Sequence, residues 1–147
     1  MVRGTRSSRR SPAILFASCA ERIGASLTEP VTLVSDGSLA RLAHEAGVPV
    51  DARRFRMLLE LAGCAEHEED TWDGRRLRVG HVVLCVGGPV DRCTVTTREP
   101  ETGKRDLDTL RLIASYRGRP RGSIDFGVYA QVERPGVVRV GDPVEPI

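Results

Sequence analysis

The sequence predicts a β-rich α+β domain: a sheet closed into a barrel-like form with helices at its periphery. Three observations point there. About seven short runs of aliphatic and β-branched residues recur along the chain, separated by glycine and proline turns. Two stretches have the spacing of amphipathic helices instead. The 147 residues are the length of one domain, and 40% hydrophobic with 29% charged residues is ordinary for a soluble globular protein.

Residues 1–30 are predicted to form a basic, flexible segment carrying Arg3, Arg6, Arg9 and Arg10. The apolar run at 13–17 followed by Cys19 loosely resembles an export signal, but the run is at or below the minimum length, so the basic tail is preferred. Residues 31–34 read as a strand. Ser35-Asp36-Gly37 is turn chemistry, and Ser38 or Asp36 caps a helix whose Leu39, Leu42, Ala43 and Ala46 share a face and which Gly47 stops. From 53 to 62, Phe55, Met57, Leu59 and Leu61 alternate, which predicts a strand with Arg54 and Arg56 together on the other face. Residues 67–70 form an acidic loop before Trp72, and Asp73-Gly74 is a turn. Strands follow at 77–79 and 81–86, and Gly87-Gly88-Pro89 breaks the run. The β-branched stretch 93–97 reads as a further strand, and 99–103 as a loop. Asp106 or Asp108 caps a second helix through Leu110, Ile113 and Tyr116. Residues 126–132 and 137–140 are the last strands, parted by Pro135-Gly136.

Several function classes drop out. A net charge of +2 with pI near 8.5 names no polyanionic partner, and 4% aromatic residues argue against base stacking, so nucleic acid is not expected. No apolar run approaches the length of a membrane-spanning helix. Cys19, Cys64, Cys85 and Cys93 form no C-x-x-C pair, which excludes the usual structural zinc pattern and fits reduced thiols in a cytoplasmic protein. There is no G-x-G-x-x-G or P-loop sequence, and no triad spacing.

Three places remain where chemistry can sit. Cys93 follows Arg92, whose guanidinium favours the thiolate, a soft metal ligand; the alternative is a small buried apolar residue. Arg54 and Arg56 on one strand face can fork onto a phosphate or carboxylate; the alternative is a solvated face. His67 to Asp70 are consecutive, so their side chains do not converge and no metal is expected there.

Taken in order, Arg53-Arg54-Phe55-Arg56, Glu69-Asp70-Thr71-Trp72, Val90-Asp91-Arg92-Cys93-Thr94-Val95-Thr96-Thr97, Glu99-Pro100-Glu101-Thr102-Gly103, Asp108-Thr109-Leu110, Phe126-Gly127-Val128-Tyr129 and Val140-Gly141-Asp142-Pro143-Val144 form a set. This set resembles the MOSC domain of molybdenum-cofactor sulfurases and amidoxime-reducing proteins, over residues 31–147. The resemblance implies a twisted β-barrel that holds the molybdenum cofactor (molybdopterin) in a cleft. It places the metal-ligating, catalytic cysteine at Cys93, preceded by Asp91 and Arg92. It places a pterin-phosphate arginine at Arg56, the serine turn at Ser35 and Ser38, and a tyrosine beside the cofactor at Tyr129. The family's R-F-R-P-N segment departs to Met57-Leu58 after Arg56. The implied activity is that of an oxidoreductase acting on N-hydroxylated or similar small molecules. Its electrons would come from a redox protein, because no flavin, haem or iron–sulfur motif is visible. The alternative is a non-catalytic carrier of molybdenum cofactor or sulfur serving a cofactor-biosynthesis protein, or a truncated remnant without activity. The resemblance also implies that the N-terminal β-domain of longer members is missing ahead of residue 31. The pyridoxal-phosphate domain of the sulfurases is missing too, so no pyridoxal phosphate is expected in this chain alone.

Overall fold

The computed structural model describes residues 13–15 and 31–147; Arg3, Arg6, Arg9, Arg10 and Cys19 lie outside the described residues. The strands are β1 (Ala13–Leu15), β2 (Val31–Ser35), β3 (Leu59–Ala62), β4 (Arg76–Val79), β5 (Val82–Asp91), β6 (Asp125–Arg134) and β7 (Val144–Pro146). Helix α1 spans Asp36–Ala46 and α2 spans Thr109–Arg117. One sheet joins the strands in the order β1-β3-β2-β6-β5-β4-β7. β2 and β3 run parallel, joined by the α1 crossover, and all other pairs are antiparallel.

The barrel follows from side-chain alternation. Along β4, Leu77 and Val79 are buried while Arg76 and Arg78 are exposed. The inward residues of six strands meet in one apolar cluster that includes Leu33, Leu61, Leu77, Leu84, Val128 and Val144. β3 and β7 lie far apart in the hydrogen-bonded order yet contribute to the same cluster, so the sheet curls into a nearly closed barrel. A second cluster of Val34, Leu42, Phe55, Val90, Ile113 and Phe126 lies under the two helices. Phe55 stacks on Phe126 with ring centroids 4.6 Å apart. This is the β-barrel with peripheral helices that the sequence predicts. No helix among the described residues is long and apolar enough to cross a membrane.

Local details differ from the sequence reading in several places. Residues 53–62 are not one strand. Ala52–Phe55 is a 3-10 turn because the Asp51 carboxylate accepts the Arg53 N–H at 2.9 Å, and only Leu59–Ala62 pairs as β3. Arg54 and Arg56 therefore do not share a strand face: Arg54 is 8% exposed and forked onto Asp106 at 2.6 and 2.8 Å, and Arg56 is exposed in the left-handed region at φ 50°. Residues 93–97 are not a strand either. Thr94–Thr97 is a 3-10 turn in which Thr96 Oγ1 donates to the Cys93 carbonyl at 3.0 Å and Thr97 Oγ1 to the Thr94 carbonyl at 2.6 Å. Gly87-Gly88-Pro89 does not end a strand; β5 continues through it to Asp91 with register shifts against β6. The last strand is β7 at Val144–Pro146, where Val144 pairs with Val79, rather than 137–140.

Capping of the first helix also differs: neither Ser38 nor Asp36 is its cap, because both lie inside the helix. Ser35 is the α1 N-cap, its Oγ accepting from the Ser38 N–H at 3.0 Å, and Gly47 ends the helix. Asp108, not Asp106, caps α2, accepting from the Arg111 N–H.

Candidate functional site

β5 leads directly into the site. Its last residue, Asp91, is exposed and accepts the Ile124 N–H at 3.2 Å, and the Arg92 N–H donates to the Ile124 carbonyl at 2.7 Å. These two bonds tie the chain ahead of Cys93 to the start of β6. The Cys93 side chain is exposed, at the residue that starts the Thr94–Thr97 turn. Cys64 and Cys85 are both half-buried. Burial, with Glu68, Asp36 and Glu69 adding, pushes the Cys64 thiol up to about 12, which keeps it protonated and inert as a ligand.

Arg92 turns away from solvent. Its Nη2 donates to the Phe55 carbonyl at 2.7 Å and touches Met57 Sδ at 3.2 Å, and the guanidinium lies 5.3 Å from the Phe55 ring centroid. Burial pushes its pKa down; negative charge on Tyr129, Cys93 or Asp91 would oppose that. Its buried Nε has no partner among the described residues. Arg92 thus clamps the Cys93 segment to the turn that carries Arg56. Met57 fills the space beside it, which gives the Met57-Leu58 departure a packing role.

Arg56 lines a cavity of about 310 Å³ together with Arg53, Arg54, Arg98, Glu99 and Gly103. Arg53 is engaged by Asp51 and Glu101, and Arg54 by Asp106. Arg98 donates through Nη1 to the Gly103 carbonyl at 2.9 Å. The Arg56 side chain makes no hydrogen bond among the described residues, so its guanidinium and the remaining N–H groups of Arg98 are donors that the cavity leaves exposed, while the buried Arg54 Nε also lacks a partner. Arg98 was not legible as a site residue; its only sequence signal is a basic residue closing the turn that Cys93 opens.

Tyr129 lies on the outer face of β6, between inward Val128 and Ala130, and pairs with Thr32 of β2. The glycine before Val128 explains the F-G-x-Y spacing. Gly127 has φ 79°, and a Cβ there would overlap the Met57 methyl and come within 2.6 Å of the Leu33 carbonyl oxygen.

Ser35 and Ser38 are fully buried and serve a different network. The Ser38 hydroxyl donates to Glu69 Oε1 at 2.6 Å, and Glu69 Oε1 also accepts the Ser35 N–H at 3.2 Å. His67 Nδ1 lies 3.0 Å from Ser38 Oγ, and His67 Nε2 lies 3.1 Å from the Tyr116 hydroxyl. Burial raises the Tyr116 phenol to about 12, so it stays protonated at neutral pH, and the His67 tautomer decides which ring nitrogen donates. The hydrogen bonds of both serines fasten the Glu68–Trp72 turn to α1 and do not reach Cys93, Arg92 or Arg56. No group of three or more His, Cys, Asp or Glu side chains suited to a metal ion occurs among the described residues.

Burial, with the Arg117 charge adding to it, pushes His67 down to about 4 from its ordinary 6.5. A folded-state pKa below the unfolded one means the unfolded chain binds the extra proton first. Stability is therefore expected to fall as pH drops from about 6.5 towards 4, and His67→Gln is expected to flatten that part of the profile. Thermal melts of both proteins across this range check it; parallel profiles would remove His67 as the cause.

The fold and site together define a small β-barrel domain in which, among the described residues, one exposed thiol, Cys93, precedes Val95 and Arg98 of an arginine-lined cavity. The sequence matches the MOSC domain over residues 20–145, and the chain belongs to the MOSC domain family. It is 37% identical over 123 residues to mitochondrial amidoxime reducing component 2 of Bos taurus, covering 78% of this chain and 36% of that protein. It is 36% identical over 132 residues to mitochondrial amidoxime-reducing component 1 of Homo sapiens, covering 84% and 39%. The chain thus spans well under half the length of these relatives. Among solved structures, YiiM from Geobacillus stearothermophilus aligns with a TM-score of 0.56 at 18% identity, over 80% of this chain and 53% of that one. The YUAD protein from Bacillus subtilis aligns with a TM-score of 0.53 at 21% identity, over 78% and 61%. These structures share the fold.

Proposed function

We propose that this chain is a molybdenum-cofactor-binding oxidoreductase domain that acts on N-hydroxylated or similar small molecules, with Cys93 as the thiolate ligand. The observation that carries the reading is an exposed cysteine on a turn clamped, through Arg92, to an arginine-lined cavity. The residues present fit such a group. Cys93 offers an accessible soft donor, Arg56 and Arg98 offer forked donors for a pterin phosphate, and Arg92 holds an unbonded Nε nearby. When bound, the cofactor supplies two-electron oxygen-transfer chemistry. The chain's own residues would hold and orient it: Cys93 would supply the thiolate, Arg56 and Arg98 would contact the pterin phosphate, and Arg92 with Asp91 sets the position of the Cys93 segment. Tyr129 bounds the site on the β6 side. Electrons come from a separate redox protein.

The activity test is reduction of an N-hydroxylated compound by cofactor-loaded protein with a donor; a loaded protein that reduces none contradicts the enzyme reading. Arg56→Ala and Arg98→Ala are each expected to weaken pterin retention by about tenfold, the loss of one charge-assisted contact of roughly 1.5 kcal/mol, with unchanged thermal melts. Pterin content equal to that of the unaltered protein in both would remove the cavity from the site.

A second reading is a carrier that retains cofactor or sulfur and passes it on without turnover. The exposed Cys93 thiol favours it, because a thiolate can hold transferable sulfur as well as a metal. Full cofactor retention with no catalysis is its signature.

A further inference from the structure

We propose that the outer face of the β5–β6 pair carries a binding trough for the flat, uncharged aromatic part of a small molecule, with Tyr129 as its wall and Gly87-Gly88 as its floor. The trough encloses about 520 Å³, and Cys85 and Gln131 bound it beside Tyr129. It rests on the reading above in one respect: that reading sets Tyr129, which walls the trough, beside the cofactor, so the trough would hold the unreactive part of the substrate.

Its shape comes from the strand irregularity. β5 and β6 slip register between Val86 and Pro89, and the two residues in the slip are glycines. In a regular antiparallel pair, a side chain on β5 would cover the Tyr129 ring. Here a Cβ on Gly88 would meet nothing within 4 Å, and one on Gly87 would meet only the Tyr129 carbonyl oxygen at 3.7 Å. The ring is left 39% exposed over a bare backbone floor. Cys85 and Gln131 pair across the strands and close one end.

The chemistry of the lining selects the occupant. In a chain with 29% charged residues, no Asp, Glu, Lys or Arg among the described residues lines this trough. A charged ligand would lose hydration there with no counter-charge to offset it. A planar ring can lie on the exposed Tyr129 face, and the Gln131 amide can meet a polar substituent. A bulky, puckered ring would not stack in this way.

The test uses benzamide as the probe, with cyclohexanecarboxamide, benzoate and benzylamine as comparators, by ligand-observed NMR on the full chain. Benzamide is expected to bind saturably and more tightly than all three. Gly88→Leu fills the floor without a backbone clash and is expected to weaken benzamide binding by about tenfold, as is Tyr129→Ala, which removes the stacking face. Thermal melts establish that each variant is folded. Cys93→Ser is expected to leave benzamide binding unchanged, so the trough and the metal-ligand assignment fail separately. Absent benzamide binding, or equal affinity in folded Gly88→Leu and the unaltered chain, overturns the proposal. A dimer by light scattering that Gly88→Leu dissociates overturns it too, because the trough is then covered by a second copy.

Discussion

Cys93→Ser is expected to lose most of the molybdenum that the unaltered chain retains, by about tenfold or more, while Cys64→Ser and Cys85→Ser retain it. A serine hydroxyl is a hard donor that stays protonated at neutral pH, and a molybdenum centre prefers the soft thiolate. The other described cysteines are poor substitutes. Cys64 packs against the barrel core with its thiol pushed up to about 12 by burial, and Cys85 is half-buried in the middle of β5. Metal analysis of the three variants, purified alike, checks the prediction. An equal loss in Cys85→Ser would move the ligand out of the Cys93 turn.

Gly127→Ala is expected to destabilise the fold by about 3 kcal/mol or more, through steric overlap added to a conformation that L side chains rarely adopt. The overlap is with the Leu33 carbonyl oxygen, a backbone atom of the neighbouring strand, and with the flexible Met57 methyl. Met57→Ala in the same chain is therefore expected to restore only part of the loss. Any movement of Met57 is also transmitted to Arg92, whose Nη2 touches the Met57 sulfur, and from there to Cys93. Chemical denaturation of the single and double variants measures both effects. A single variant as stable as the unaltered protein would contradict the close β2–β6 approach on which the site geometry depends.

The strands with a simple inside–outside pattern were legible in the sequence. Leu77 and Val79, or Val128 and Ala130, have no competing local chemistry, so their alternation decides the structure. The errors fall where side chains bond to nearby backbone. Thr96 and Thr97 read as strand formers, but their hydroxyls back-bond to carbonyls three residues earlier and fold the segment into a turn. Asp51 does the same for the arginine run, which sends Arg54 to Asp106 and leaves Arg56 in the cavity. The arginine run reads as a strand from apolar alternation and 93–97 from β-branched composition, and neither signal includes side-chain bonds to nearby backbone. Gly87-Gly88 misled in the other direction, because a bulge keeps the strand running where two glycines suggest a stop.

The candidate site was legible only through the ordered motifs. They bring Cys93, Arg92 and Asp91 to one strand end, and Arg92 reaches the turn that carries Arg56. The resemblance also places the serine turn at Ser35 and Ser38, yet the Ser35 hydroxyl bonds to Ser38 and the Ser38 hydroxyl to the buried Glu69 and to His67. A motif reports that residues are kept together in sequence order; it does not separate those that face a ligand from those that hold a turn. The Arg98 contribution and the Gly87-Gly88 floor depend on tertiary placement and have no local signature.

We propose that this chain holds the molybdenum cofactor. The most direct test is the molybdenum and pterin content of the chain purified from a cofactor-producing host. The account predicts metal and pterin near one each per chain. Protein that carries neither, from a host shown to load another molybdenum enzyme, would contradict it.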